Sequence, residues 1–126
     1  MGEKPGLLIV EDEDFLRLLL VEIMTEHGYT VFEAGDGEEA VEIYRQHQNE
    51  IDIVLSDLGL PHLGGWEAFE KMHEINPNVK GILASGYFDP QLKERILATG
   101  AKYFIQKPYN PPDIIALLDR IVKGEE

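Results

Sequence analysis

Short apolar runs alternate with helical patterns along the whole chain. LLIV, residues 7–10, reads as a first strand. Leu16, Leu19, Leu20, Ile23 and Met24 then fall at i, i+3, i+4, i+7 and i+8, one buried stripe of a helix over about residues 14–27. Gly28 follows where a left-handed residue closes a helix. TVFEA is a second strand, and DGEEAVEIYRQHQ a second helix with Asp36 as N-cap and Glu39 three residues on. IDIVLS is apolar at nearly every position, which predicts a third strand covered on both faces. The loop DLGLPHLGG leads to a helix from about Trp66 to Ile75, and VKGILAS is a fourth strand. Asp89 and Pro90 suit the N-cap and first position of another helix, ending at Gly100. KYFIQ is the fifth strand, and Asn110, Pro111 and Pro112 open a last helix reaching about Lys123.

Strands alternating with helices through short connections predict an α/β fold: a five-stranded parallel sheet, doubly wound, with helices on both faces in three layers. The 126 residues suit one domain, with its core over about residues 6–123 and no segment that reads as a linker or an output domain.

Composition narrows the function. Apolar residues make up 44%, enough for a core, and no run approaches a membrane span. The start, MGEKPG, lacks the apolar stretch of a secretory signal, so a soluble, cytoplasmic protein is expected. Cysteine is absent, which excludes thiol catalysis and thiolate metal sites. With 24 acidic and 11 basic residues the net charge is −13, which disfavours direct nucleic-acid binding and favours cations and basic protein surfaces.

In open parallel sheets ligands sit beyond the carboxyl ends of the strands. Glu11 and Asp12 follow the first strand, Asp57 the third, Ser85 ends the fourth, and Lys107 follows the fifth. Carboxylates about 4 Å apart repel by roughly 4 kcal/mol at an effective dielectric near 20, so a proton or a cation must join them. Oxygen-only ligands select a hard divalent ion, Mg²⁺ first and Mn²⁺ next. Such an ion beside a carboxylate, an ammonium and a hydroxyl is equipment for phosphoryl transfer, with a carboxylate as the nucleophile. Glu13 and Asp14 read instead as acids favoured by a helix N-terminus. Phe15 and Leu18 lie off the core stripe of the first helix, and suggest either a docking surface for a partner helix or packing at the edge of the core. His27, His47, His62 and His73 are scattered and show no metal-ligand spacing.

VEDE after the first strand, LSDLGLPHLGG around Asp57, LASGY at the fourth strand and FIQKPY at the fifth together resemble the receiver domain of two-component response regulators. The resemblance spans Leu7 to about Val122. It implies a flavodoxin-like fold with strand order 2-1-3-4-5. It implies that Asp57 is the phosphoacceptor, served by a phosphohistidine of a sensor histidine kinase or phosphotransfer protein. Asp12 would then hold the metal directly, Glu11 through a water, and the backbone carbonyl of Gly59 would supply a further oxygen. Ser85 would hydrogen-bond the phosphoryl group, Lys107 would pair with it, and Phe104 would occupy the aromatic switch position. Pro61 and Gly65 match the loop after the acceptor, and the Lys107–Pro108 bond would be cis. The surface around Tyr87, Tyr103 and Phe104 would change shape on phosphorylation, and Tyr87 would either shield the acyl phosphate or cover the rim. Glu11 replaces the commoner Asp, and Ser85 stands where Thr is frequent. SGY and QKPY are similar to receivers joined to hybrid sensor kinases.

The resemblance implies a signalling phosphoacceptor that catalyses only its own phosphorylation and dephosphorylation. Two alternatives stay open. One is a phosphatase or phosphotransferase with an aspartyl nucleophile, and the other is a pseudo-receiver that never takes phosphate. No glycine-rich turn follows the first strand, which disfavours dinucleotide binding.

Overall fold

The computed structural model describes residues 4–58, 64–86, 90–91, 94, 103–107 and 110–124. Along the chain run β1 (Gly6–Val10), α1 (Asp14–Glu26), β2 (Thr30–Ala34), α2 (Gly37–His47), β3 (Ile53–Asp57), α3 (Gly65–Ile75), β4 (Lys80–Ser85), β5 (Tyr103–Gln106) and α4 (Pro111–Val122). The strands form one five-stranded sheet in the order β2-β1-β3-β4-β5. Every neighbouring pair is parallel. The helix expected between Asp89 and Gly100 falls almost wholly outside the described residues.

Side chains alternate across the sheet, and the two core layers follow from that period. Leu8, Val10, Val54 and Leu83 face Ala40 and Tyr44 of α2 and Phe69 and Met72 of α3. Leu7, Ile9, Ile53, Leu55 and Ile82 face Leu20 and Met24 of α1 and Ile114, Leu118 and Ile121 of α4. A sheet buried on both faces needs apolar residues at consecutive positions, which is why β1 and β3 show so little alternation in sequence.

Helix ends follow local chemistry. The α1 C-terminus closes in a Schellman turn, with Tyr29 N–H donating to Met24 O at 3.0 Å and Gly28 N–H to Thr25 O at 3.1 Å. Gly28 has φ +108°, where a side chain would be strained. Asp36 caps α2 by accepting from Glu39 N–H at 2.8 Å. The return bond of the capping box lands one residue early: Glu39 Oε1 accepts from Gly35 N–H at 2.6 Å, rather than from Asp36. Asn110 accepts from Asp113 N–H at 3.4 Å, ahead of the two prolines that open α4.

One expectation for α1 is corrected. Leu19 is 40% exposed, so the buried stripe runs through Leu20 and Met24, with Leu16 and Ile23 only partly covered.

Candidate functional site

The carboxyl ends of the strands carry the unusual side chains. Glu11 directly follows β1, and its backbone is held on both sides. Its N–H donates to Ala34 O at the end of β2, 3.1 Å away. Its carbonyl accepts from Arg17 Nη1 at 2.8 Å. Glu11 is 1% exposed, an unusual position for a carboxylate. One of its oxygens accepts from Glu13 N–H at 3.2 Å, and the other from Lys107 Nζ at 3.4 Å.

Asp57 is the last residue of β3 and is buried. It pairs in register with Ala84, and Leu58 N–H donates to Ala84 O at 2.9 Å, so Ser85 comes one residue beyond the register partner of Asp57 at the same sheet edge. Ser85 pairs with Gln106, and Lys107 N–H donates to Ser85 O at 2.9 Å. The register therefore delivers the lysine beside Asp57. Lys107 Nζ donates to Asp57 Oδ2 at 3.0 Å.

Gly65, at the start of α3, comes so close to Asp57 that a Cβ there would run into the carbonyl oxygen of Asp57. Its N–H donates to Leu58 O at 3.2 Å, which ties the start of α3 to the end of β3. A small residue at this point lets α3 seat against the end of β3.

Glu11, Asp12 and Asp57 each offer a carboxylate oxygen, all within 4.8 Å of one another. Burial pushes Glu11 above the ordinary carboxylate range, helped by the Asp57 charge, while the Glu13 amide and Lys107 pull the other way. Burial opposes the charged form of Lys107. Its hydrogen bond to Asp57 and the charges of Asp57 and Glu11 outweigh that and hold it above the ordinary ammonium range. The pocket thus concentrates negative charge around the Lys107 ammonium. A hard divalent cation fits the donor set, which consists of carboxylate oxygens with one of the three residues exposed to water. Among the described residues no histidine joins this cluster.

The expected site residues Glu11, Asp12, Asp57 and Lys107 meet here, and Ser85 lies at the same sheet edge. Gly59, Tyr87, Pro61 and the Lys107–Pro108 bond lie outside the described residues. Phe104 packs toward the α2–α3 layer and Tyr103 toward the α1–α4 layer. The expected grouping of these two on one surface is therefore divided by the sheet, because adjacent strand residues point to opposite faces. Phe15 and Leu18 are 81% and 58% exposed on α1.

Arg17 is the residue that pattern reading passed over. A lone arginine on an acidic helix reads as a solvated charge. Its spacing of three from Asp14 was the available signal, and that contact is made at 2.7 Å.

A doubly wound parallel sheet with an acid cluster and a lysine at its carboxyl edge defines the architecture of a phosphoacceptor receiver. Over residues 7–119 the chain matches the response regulator receiver domain, and it belongs to that family. It is similar to the chemotaxis protein CheY of Thermotoga maritima, 36% identical over 124 residues that cover 98% of this chain and 100% of that protein. It also resembles the sensor kinase CckA of Brucella abortus, 31% identical over 120 residues, 95% of this chain but only 13% of that protein. A chain in the crystal structure of the CheX-CheY-BeF3-Mg+2 complex from Borrelia burgdorferi superposes with a TM-score of 0.87 at 33% identity, covering 94% of this chain and 89% of that one. The chain is a flavodoxin-like receiver that acts as a phosphoacceptor in two-component signalling.

Proposed function

We propose that Asp57 takes the phosphoryl group from a phosphohistidine on a sensor histidine kinase or phosphotransfer protein. The reading assigns Mg²⁺, or Mn²⁺, to the oxygens of Glu11, Asp12 and Asp57 and the backbone carbonyl of Gly59. One observation carries it: Lys107 Nζ stands 3.0 Å from Asp57 Oδ2, at the edge where three carboxylates converge. The similar Borrelia chain comes from a complex named for BeF3 and Mg+2, which supports the metal and the phosphoryl pocket together.

In this reaction an ionised Asp57 oxygen forms a bond to phosphorus as the phosphorus–nitrogen bond breaks, and the electron pair returns to the imidazole. A bound divalent cation supplies charge neutralisation for the phosphoryl oxygens. Lys107 balances charge on the transferring group from a preorganised position. The Ser85 hydroxyl donates to one phosphoryl oxygen. Water later attacks phosphorus, the acyl phosphate opens, and Asp57 returns as a carboxylate with release of inorganic phosphate. Phosphorylation shifts the population between two conformations, with Phe104 repacking behind Ser85. The chain catalyses only these two steps on itself, in the cytoplasm, without nucleic acid or membrane as direct partner. Among the described residues no helix is long and apolar enough to cross a membrane.

Phe15 and Leu18 form the docking surface for the kinase helix, since an exposed apolar pair at i, i+3 on the helix next to the acceptor matches a helix-in-groove contact. The downstream partner is a protein.

The test is intact-mass measurement after acetyl phosphate and Mg²⁺. Gain of one phosphoryl group is expected in the wild type and absent without Mg²⁺ or in Asp57→Asn. Steady turnover of a phosphomonoester would favour the phosphatase reading, and no gain under any donor would favour a pseudo-receiver.

A further inference from the structure

The three contacts of Arg17 radiate to three separate segments. Nη1 donates to the Glu11 carbonyl at 2.8 Å, Nε to Glu33 at 3.1 Å and Nη2 to Asp14 at 2.7 Å. The guanidinium also lies over Gly35, where an added Cβ would stand 3.4 Å from Nη1. The Arg17 side chain is only 16% exposed, while its acidic partners are open to water at 43% for Glu33 and 83% for Asp14. Ion pairs with such exposed acids contribute little stability. The contact that distinguishes Arg17 is therefore the one to the Glu11 carbonyl.

That carbonyl belongs to the peptide joining Glu11 to Asp12. Its orientation fixes where both side chains leave the backbone. The peptide before it is held through the Glu11 amide by Ala34 O, and Arg17 restrains the Glu11–Asp12 peptide through its carbonyl and opposes its turning. Glu33 near the end of β2 and Asp14 in the first turn of α1 act as the guide rails that keep the guanidinium aimed. A cavity of about 380 Å³ lies alongside, lined by Asp12, Asp14, Arg17, Glu33 and Glu39 among others, so without the guanidinium the turn would face open water there.

We infer that Arg17 is a positioning residue for the divalent-cation pocket: it locks the Glu11–Asp12 peptide so that both carboxylates face Asp57. This rests on the assignment of the cation to Glu11, Asp12 and Asp57. A lysine keeps the charge of Arg17 and loses the planar fork. Groups that orient metal ligands typically matter by factors of ten to a hundred in affinity, so Arg17→Lys should bind Mn²⁺ roughly ten-fold more weakly.

The experiment is a titration of the full chain with Mn²⁺, followed by electron paramagnetic resonance of the free ion at high ionic strength, with urea unfolding run on each variant. Weaker Mn²⁺ binding in Arg17→Lys, at a temperature where the variant is fully folded, supports the inference. Unchanged affinity with reduced stability shows a purely structural role and overturns it. Unchanged affinity in Arg17→Lys together with tighter binding in Arg17→Met shows that only charge matters, and also overturns it. Glu33→Ala removes one guide rail and leaves the arginine in place. It should weaken Mn²⁺ binding in the same direction, and unchanged affinity there overturns the inference if Arg17→Lys does not fold. Wild-type protein that fails to bind Mn²⁺, or binds it equally well as Asp57→Asn, removes the cation assignment itself and the inference with it.

Discussion

At the scale of single residues, the site is built from unfavourable groups that offset one another. Glu11 is buried as an acid, and Asp57 is buried beside it. Lys107 reaches both, at 3.4 and 3.0 Å, and a buried carboxylate without such a partner would be costly. Gly65 matters through what it lacks. Gly65→Ala places a methyl group against the Asp57 carbonyl, and overpacking of this kind costs about 1–3 kcal/mol. Urea denaturation should show that loss. Acetyl phosphate labelling of the same variant should be slowed, because relief of the clash displaces Asp57. The identities of Asp57 and Lys107 were legible from their places after separate strands, given the rule that parallel sheets gather ligands at one edge. Their contact was not legible from any local pattern, since 50 residues separate them and only the register of β3, β4 and β5 brings them together. Arg17 was hidden for a different reason: its key partner is a backbone carbonyl, which leaves no mark in the sequence.

At the scale of elements, α1 serves two faces. Leu20 and Met24 bury it against the sheet, while Phe15 and Leu18 stay in water. Replacing both Phe15 and Leu18 by Ser should impair phosphotransfer from the kinase and spare phosphorylation by acetyl phosphate. Equal loss with both donors, in side-by-side rate measurements, would rule out docking. The far end of α1 is tied to α4. Asp119 accepts from Tyr29 Oη at 2.9 Å and meets His27 Nε2 at 3.1 Å. Burial disfavours the ionised Asp119, and the contacts with His27 and Tyr29 and the charge of Lys123 outweigh it, so the carboxyl sits below its ordinary range. A depressed acid contributes stability above its unfolded value and loses it as pH falls through the folded one. Asp119→Asn should therefore be less stable than wild type near pH 6. The gap in urea midpoint should close at acid pH, below the ordinary aspartate range. Element types were readable because each strand is a short apolar block and each helix a periodic one. Boundaries were less so. The third strand begins at Ile53 rather than Ile51, because the Asp52 carboxylate takes the Gly6 amide at 2.8 Å and ends the regular ladder there. Leu19 matched the helical stripe and still lies open, because periodicity reports a direction on the helix and not how far the neighbouring layer extends.

At the scale of the whole molecule, a net charge of −13 makes the folded chain repel itself, most of all where Glu11, Asp12 and Asp57 gather. A ligand that binds only the folded state stabilises it by about 2.7 kcal/mol at a hundred times its dissociation constant. Mg²⁺ should accordingly raise the thermal midpoint, and Asp57→Asn should lose most of that gain in a calorimetric comparison. Monovalent salt at equal ionic strength should give a smaller rise that the substitution leaves intact. The division of β5 has a further consequence. Tyr103 and Phe104 are neighbours along one short strand, yet each packs, partly buried, against a different half of the core. A slight slide of that strand, pulled from Lys107 at its end, would disturb the packing of both halves at once. One event at the sheet edge would thereby reach two layers that the sheet keeps apart.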